Sequence, residues 1–408
     1  MLDLILKNAR LPQGATDIGI AGGRIAALGR DLGPSREVRD IEHRAVLPGL
    51  VEAHIHLDKA GLLCRCGQAD SVQAAVAAVS ALKRDFTVDD VRSRGAQVIE
   101  AAIRQGTMHM RTHVEVDPRA GLRSLAAVLA LKDDYAFALD LQVCAFAQEG
   151  LTNDPGTEAL LEQALAQGAD LLGGCPYTDS DPLAQIDILF AMAVRHDVDL
   201  DFHLDFDLDP DGSQIKAICD RTIRHGWQGR VNLGHVTKLA VMTDGALRDH
   251  AAMLAQARVA VTALPATDLY LNGMDQGHRA PRGVAPLHLL EGVTVAVATN
   301  NVMNPFTPYG DCSLMRMANL YANVMHLGAG DFAACLRMIT EGPARILRLA
   351  DYGLSVGDRA NLIVLDAATA EDGLATIAAP LMGFKAGRQS FDRPAARLLR
   401  PVAGALPA

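Results

Sequence analysis

The stretch LVEAHIHLD, residues 50–58, opens a pattern that decides the fold. It begins apolar and ends on polar and charged residues, and a segment with helical spacing, SVQAAVAAVSALKRD (71–85), follows it. The unit then recurs without sequence identity. MHMRTHVEV (108–116), FALDLQVCAFA (137–147), DLLGGCP (170–176), DLDFHLD (199–205), RVNLGHV (230–236), RVAVTALP (258–265) and VTVAVATN (293–300) are short apolar or alternating runs, eight with the first. Segments such as GTEALLEQALAQG (156–168) and PLAQIDILFAMAVRH (182–196) lie between them. Their apolar residues recur every three or four positions, as in amphipathic helices that cover a parallel sheet. Eight alternations of strand and helix predict an α/β chain whose residues 50–345 form a (β/α)8 TIM barrel.

The flanks read differently. Residues 1–49 contain DLILKNARL, DIGIAGGRIAALG and RAVLPGL, and residues 346–393 contain YGLSVGDRANLIVLDA and LMGFKAGRQ. These are strand-like pieces punctuated by glycine turns, and they predict one small β-sandwich built from both termini. Residues 394–408, PAARLLRPVAGALPA, read as a loosely held tail.

Composition limits the partners. The chain has 408 residues, half of them hydrophobic, and a formal net charge of −10. No Lys/Arg-rich block appears, which argues against a nucleic acid or an anionic membrane as partner. The N-terminus has no apolar segment followed by a small-residue cleavage site, and no apolar run reaches the length of a membrane span. Seven cysteines without a CxxC pair read as reduced thiols in a cytoplasmic protein. AGGRIAALG lacks the GxGxxG pattern of dinucleotide sites. LDFDLDPDG, with Asp207, Asp209 and Asp211, lacks the terminal glutamate of a calcium loop and reads as solvated.

In such barrels the chemistry sits at the C-terminal strand ends. His54 and His56, two apart on strand one, share a face that points into the barrel mouth. Strand two ends with His113 and Glu115, strand five with His203 and Asp205, strand six with His235. Histidines from four strands, out of 13 in the chain, converge on one rim. Neutral imidazole is the commonest protein metal ligand, so the rim is a candidate metal site.

The order LPGLVEAHIHLDKA, MRTHVEV, FAQEGL, FHLDF, GHVTKLA, NNVMNPF and YGLSVGDRANLIVLD resembles the amidohydrolase superfamily over nearly the whole chain. Within it, the pairing of HxHLDK with RTHV resembles the cytosine deaminase branch and its relatives acting on N-alkylated triazines. The resemblance implies one divalent ion, zinc or iron, held by His54, His56 and His203. It implies that Lys59 and Gln148 touch the substrate or the attacking water, and that His235 polarises the substrate or steadies the hydroxide. It also implies substrate contacts from Tyr270, Asn272 and Arg282, with His113 and Asn301 in the substrate-facing set. Deaminases of this branch commonly form homo-oligomers.

The chain departs from that pattern twice. Where the family carries a strand-eight aspartate pair, this sequence has Asn300 and Asn301, with Asn304 at a third position where aspartate is usual. Where the deaminases place a proton-shuttling glutamate after the strand-five His-x-Asp, it has Phe206. Three neutral imidazoles leave a divalent ion its full charge, which acidifies bound water well, yet asparagine cannot accept the water's proton. Asp205 and Glu115, each two residues beyond a histidine, are the candidates to carry it; Asn300 would orient water or substrate, and Phe206 would form an apolar wall.

Two functions remain. One is a hydrolase in which metal-bound hydroxide cleaves a C–N bond (amide, lactam, amidine or N-alkyl amine) of a small, cyclic, nitrogenous substrate. The other is a catalytically impaired barrel that binds a small ligand.

Overall fold

The computed structural model describes residues 1–399 except 68, 277, 279 and 280. The N-terminal residues form β1 (Leu2–Leu11), β2 (Gly14–Ala21), β3 (Arg24–Gly29) and β4 (Ser35–Asp40), ordered β3-β2-β1-β4, with β4 parallel to β1. A second small sheet joins β5 (Val46–Pro48) to three strands near the C-terminus, β14 (Leu362–Leu365), β15 (Pro380–Lys385) and β16 (Arg388–Asp392), in the order β16-β15-β14-β5. The two sheets share a core in which Leu4, Leu6, Ile18 and Ile20 pack with Val46, Leu362, Val364 and Phe384. Strand β5 explains why both termini are needed, because it leaves the first segment to pair with β14. Residues 394–399 have no regular structure, and the rest of the expected tail, 400–408, lies outside the described residues.

Between β5 and β14 in the sequence comes the barrel. Its strands are β6 (Leu50–Ile55), β7 (Thr107–Glu115), β8 (Asp140–Ala147), β9 (Leu171–Gly174), β10 (Asp199–Leu204), β11 (Val231–His235), β12 (Ala260–Ala263) and β13 (Val295–Val297), paired in chain order and parallel. Asn300 closes the ring: its N–H donates to the His54 carbonyl at 2.8 Å and its carbonyl accepts from the His56 N–H at 2.9 Å. The strands are nearly wholly buried, as expected of a parallel sheet covered by helices.

The helices follow the apolar spacing of the sequence, and local chemistry sets their ends. Ser71, Asp181 and Thr243 each accept a backbone N–H in the first turn of the helices Val72–Leu82, Pro182–His196 and Asp244–Ala257. FALDLQVCAFA is strand only from Asp140, and Phe137 is exposed. β9 is short and glycine-rich because β10 runs close beside it: a Cβ on Gly173 would sit 2.5 Å from the Asp201 carbonyl oxygen. Among the described residues no helix is long and apolar enough to cross a membrane.

Candidate functional site

The strand ends place three imidazoles around one point. His54 projects from β6, His56 follows it, and His203 projects from β10; none is more than 2% exposed. His203 Nε2 lies 3.1 Å from His54 Nε2 and 3.0 Å from His56 Nε2. One ring nitrogen offers a single hydrogen or a single lone pair, so hydrogen bonding cannot satisfy all three. Four-coordinate zinc with nitrogen ligands at ~2.0–2.1 Å separates its ligand atoms by roughly 3.3 Å, close to both distances from His203. The three Nδ1 atoms also lack hydrogen-bond partners among the described residues. Burial, reinforced by neighbouring imidazoles and, for His56 and His203, by Lys59, holds all three well below the ordinary histidine value, so each presents a neutral ring. The donor set fits a divalent cation.

His113, expected to face substrate, lies beneath this floor. Its ring stacks on His54 with centroids 3.9 Å apart, and its Nε2 is 3.4 Å from Asp201 Oδ1. Its donor atoms approach those of His54 and His203 as well, and neither of its ring nitrogens has a hydrogen-bond partner among the described residues. Asp201 is itself held by Arg111 at 2.8 Å and Asn232 at 3.0 Å.

Beside the imidazoles, Lys59 Nζ donates to Glu115 Oε1 at 2.8 Å and Gln148 Oε1 at 2.9 Å and lies 4.6 Å from the centre of the Phe306 ring. An ammonium only donates, so the Gln148 carbonyl must face it; the Gln148 NH2 donates to Cys175 Sγ at 3.4 Å, which leaves its second hydrogen to turn elsewhere. Glu115, expected as a proton carrier, is gripped by two ammonium groups. Its other oxygen accepts from Lys83 at 2.8 Å, and although burial raises it, Lys59 and Lys83 hold it down at about 2. The carboxylates of Glu115, Asp117 and Glu149 enclose the Lys83 ammonium, which fills the space a cation would take.

Asp205, the other expected carrier, also turns away. Its backbone is left-handed, with φ 51°, and its carboxylate accepts from Ser213 Oγ at 2.5 Å and the Gln214 N–H at 3.1 Å. The following acidic loop wraps the Lys238 ammonium, which donates to Asp207 Oδ1 and to the Asp209 and Asp211 carbonyls at 2.6–2.9 Å. Arg282 is exposed and lines neither cavity near the histidines. Tyr270 belongs to the short helix Pro265–Leu271, and Asn272 borders the outer cleft described below.

The three asparagines separate by role. Asn304 builds a turn: its Oδ1 accepts from the Phe306 and Thr307 N–H groups, and its Nδ2 donates to the Lys59 carbonyl and to Asn301 Oδ1. Asn301 is thereby held at the cavity edge. Asn300 differs: its backbone is left-handed, with φ 65°, and its Oδ1 is buried with no hydrogen-bond partner among the described residues.

His235 ends β11 with φ 71°, and Val236 follows with φ 45°, a costly conformation for a β-branched residue. Its Nδ1 lies 2.6 Å from Oδ1 of Asp268, a fully buried residue that sequence reasoning missed. Phe206 packs edge-on against the His235 ring at 4.5 Å.

The space bounded by His56, His203, His235, Lys59, Gln148 and Asn300 is about 20 Å³, room for one water-sized group. Val72, Tyr177, Phe206 and Leu271 separate it from an outer cleft of about 290 Å³ and line both.

Residues 37–390 match the amidohydrolase family profile. The chain is 28% identical over 402 residues to the N-isopropylammelide isopropyl amidohydrolase of Pseudomonas sp. strain ADP, covering 95% of this chain and 96% of that one. It is 31% identical over 336 residues to the pterin deaminase of Rhizobium rhizogenes, covering 80% of this chain and 76% of that one. Its fold is similar to that of the 5-methylcytosine deaminase from Klebsiella pneumoniae, with TM-score 0.92, 26% identity and coverage of 97% and 99%. This protein belongs to the amidohydrolase family, in the cytosine deaminase-like branch that neighbours the triazine hydrolases.

Proposed function

We propose that this amidohydrolase cleaves a C–N bond of a small cyclic nitrogenous molecule, using one divalent ion, zinc or iron, held by His54, His56 and His203. The observation that carries this reading is that His203 Nε2 lies within 3.1 Å of the Nε2 atoms of both His54 and His56, with His56 and His203 lining the small cavity. When bound, the ion supplies Lewis acidity and makes water a nucleophile near neutral pH.

The chain's own groups do the rest. Lys59 and the Gln148 NH2 are donors for a carbonyl oxygen or a basic ring nitrogen, and so set the orientation of the ring. Asn300 offers a carbonyl oxygen to a water or to a substrate N–H. His235 borders the cavity and is the group placed to take a proton from the attacking water and return it to the departing nitrogen. Water's oxygen forms the new C–O bond, the C–N bond breaks, and the nitrogen leaves protonated. Phe206, Tyr177 and Leu271 exclude bulk water and suit an N-alkyl or aryl substituent in the outer cleft.

Ligand binding without hydrolysis is not favoured. His203 Nε2 lies against two other Nε2 atoms that hydrogen bonding cannot satisfy together, and a bound ion would take all three lone pairs. The test is turnover by zinc- and iron-loaded protein of a panel containing N-isopropylammelide, pterin, 5-methylcytosine and simple lactams, read as released amine or opened ring. Turnover of a panel member that disappears in His203→Ala supports the reading. Metal-loaded protein inert across the panel and a wider set of cyclic amides and amidines would contradict it.

A further inference from the structure

The residues that would carry protons in the resembling enzymes are replaced here by Asn300 and Phe206, and neither Glu115 nor Asp205 faces the cavity. A carboxylate is nevertheless present behind the site. Asp268 lies in the first turn of the helix Pro265–Leu271, just after β12, and is wholly buried. Its Oδ2 accepts the Leu264 N–H at 3.0 Å, and its Oδ1 is 2.6 Å from His235 Nδ1.

An ionised carboxylate has no hydrogen to give, so the short contact requires the imidazole hydrogen on Nδ1. Nε2 is then bare. The ring has little freedom to rearrange, since Phe206 packs edge-on against it and the backbone at His235 and Val236 is held in the left-handed region. Such strain persists only where surrounding structure enforces it.

We propose that Asp268 is a positioning residue that holds His235 as the Nδ1–H tautomer, with a bare Nε2 presented to the cavity, and that this pair fills the proton-accepting role left open by Asn300 and Phe206. The proposal rests on the hydrolase reading above. It assigns the residue that makes His235 an acceptor, and it gives Phe206 a second task, fixing the plane of that ring.

The experiment reads the tautomer directly. Full-length protein carrying 15N in its histidine rings is examined by two-bond 1H–15N correlation at pH 7.5, metal-free and zinc-loaded, with the His235 signals assigned through His235→Gln. The expected result is a protonated Nδ1 and an unprotonated Nε2 in both states. In Asp268→Asn the asparagine can keep its oxygen on the Leu264 N–H and turn its NH2 toward Nδ1, so the Nε2–H form should become the major one. On any substrate the panel identifies, the same variant should lose roughly 10²–10⁴-fold in kcat with KM within a few-fold and metal content unchanged. An Nε2–H tautomer in the unmodified protein, as a protonated Asp268 would produce, overturns the proposal, as does a tautomer unaltered in Asp268→Asn. The tautomer is read without substrate, so this outcome is separate from failure of the hydrolase reading, which shows as absent turnover by the unmodified protein.

Discussion

Lys59 Nζ lies 2.8 Å from Glu115 Oε1, with both side chains at most 3% exposed, and the other Glu115 oxygen is held by the buried Lys83. The ammonium that faces the cavity is therefore anchored by a carboxylate that does not line it.

Glu115→Gln should destabilise the protein by about 3–5 kcal/mol at pH 7, because it leaves the buried Lys59 ammonium without its carboxylate, whereas Lys83 keeps Asp117 and Glu149. The loss should depend on pH in one direction. The carboxyl sits at about 2 in the folded protein against an ordinary 4.5, so its contribution is complete above about pH 4.5 and fades as pH falls toward 2. Denaturant midpoints of both proteins across pH 3 to 7 check this; a gap between them that did not narrow in acid would contradict it.

Asn300→Asp should have opposite effects in the two metal states. The Asn300 oxygen is buried without a partner, so a carboxylate there is an unpaired buried charge in the metal-free protein and costs about several kcal/mol. With zinc bound, the same carboxylate gains a cation beside it. Calorimetry should show the metal-free variant melting several degrees below the parent and the zinc-loaded variant at or above it. Equal shifts in both states would exclude a cation next to residue 300.

Gly234→Ala tests the floor of the site without removing a functional group. A Cβ at Gly234 would lie 2.8 Å from His54 Cε1 and 3.0 Å from Nδ1, and His113 stacked on the other face leaves that ring little room to retreat. Zinc affinity, measured against a competing chelator, should fall at least about tenfold, the order seen when ligand orientation is disturbed. Unchanged affinity would mean that His54 is not a ligand.

His235→Asn should lower kcat by about 10²–10⁴-fold on a confirmed substrate while leaving metal content unaltered. A parallel loss of metal would instead make His235 a ligand.

The barrel was legible because each strand carries its own apolar run and the period-two rule places His54 and His56 on one face. His203 and His235 could be found because they end later runs of the same kind. The alternation rule failed where strands stop: at Asp205, φ turns positive and the side chain leaves the face it would share with His203. Glu115 lies on β7 as expected, but Lys59 and Lys83 reach it from 56 and 32 residues away in sequence, a pairing no local pattern encodes. Asp268 was missed for the same reason. It is 33 residues beyond His235, in the first turn of a short helix, and only the neighbouring positions of β11 and β12 bring the two together.

The central claim is that three histidines hold one ion. It is tested most directly by metal content per chain, measured by plasma mass spectrometry on untagged protein made in zinc- or iron-supplemented medium and purified without chelators. The account predicts close to one equivalent of zinc or iron in the parent protein and its loss in His203→Ala and in His56→Ala. Substoichiometric metal under every supplement, or one equivalent that survives both substitutions, would contradict it.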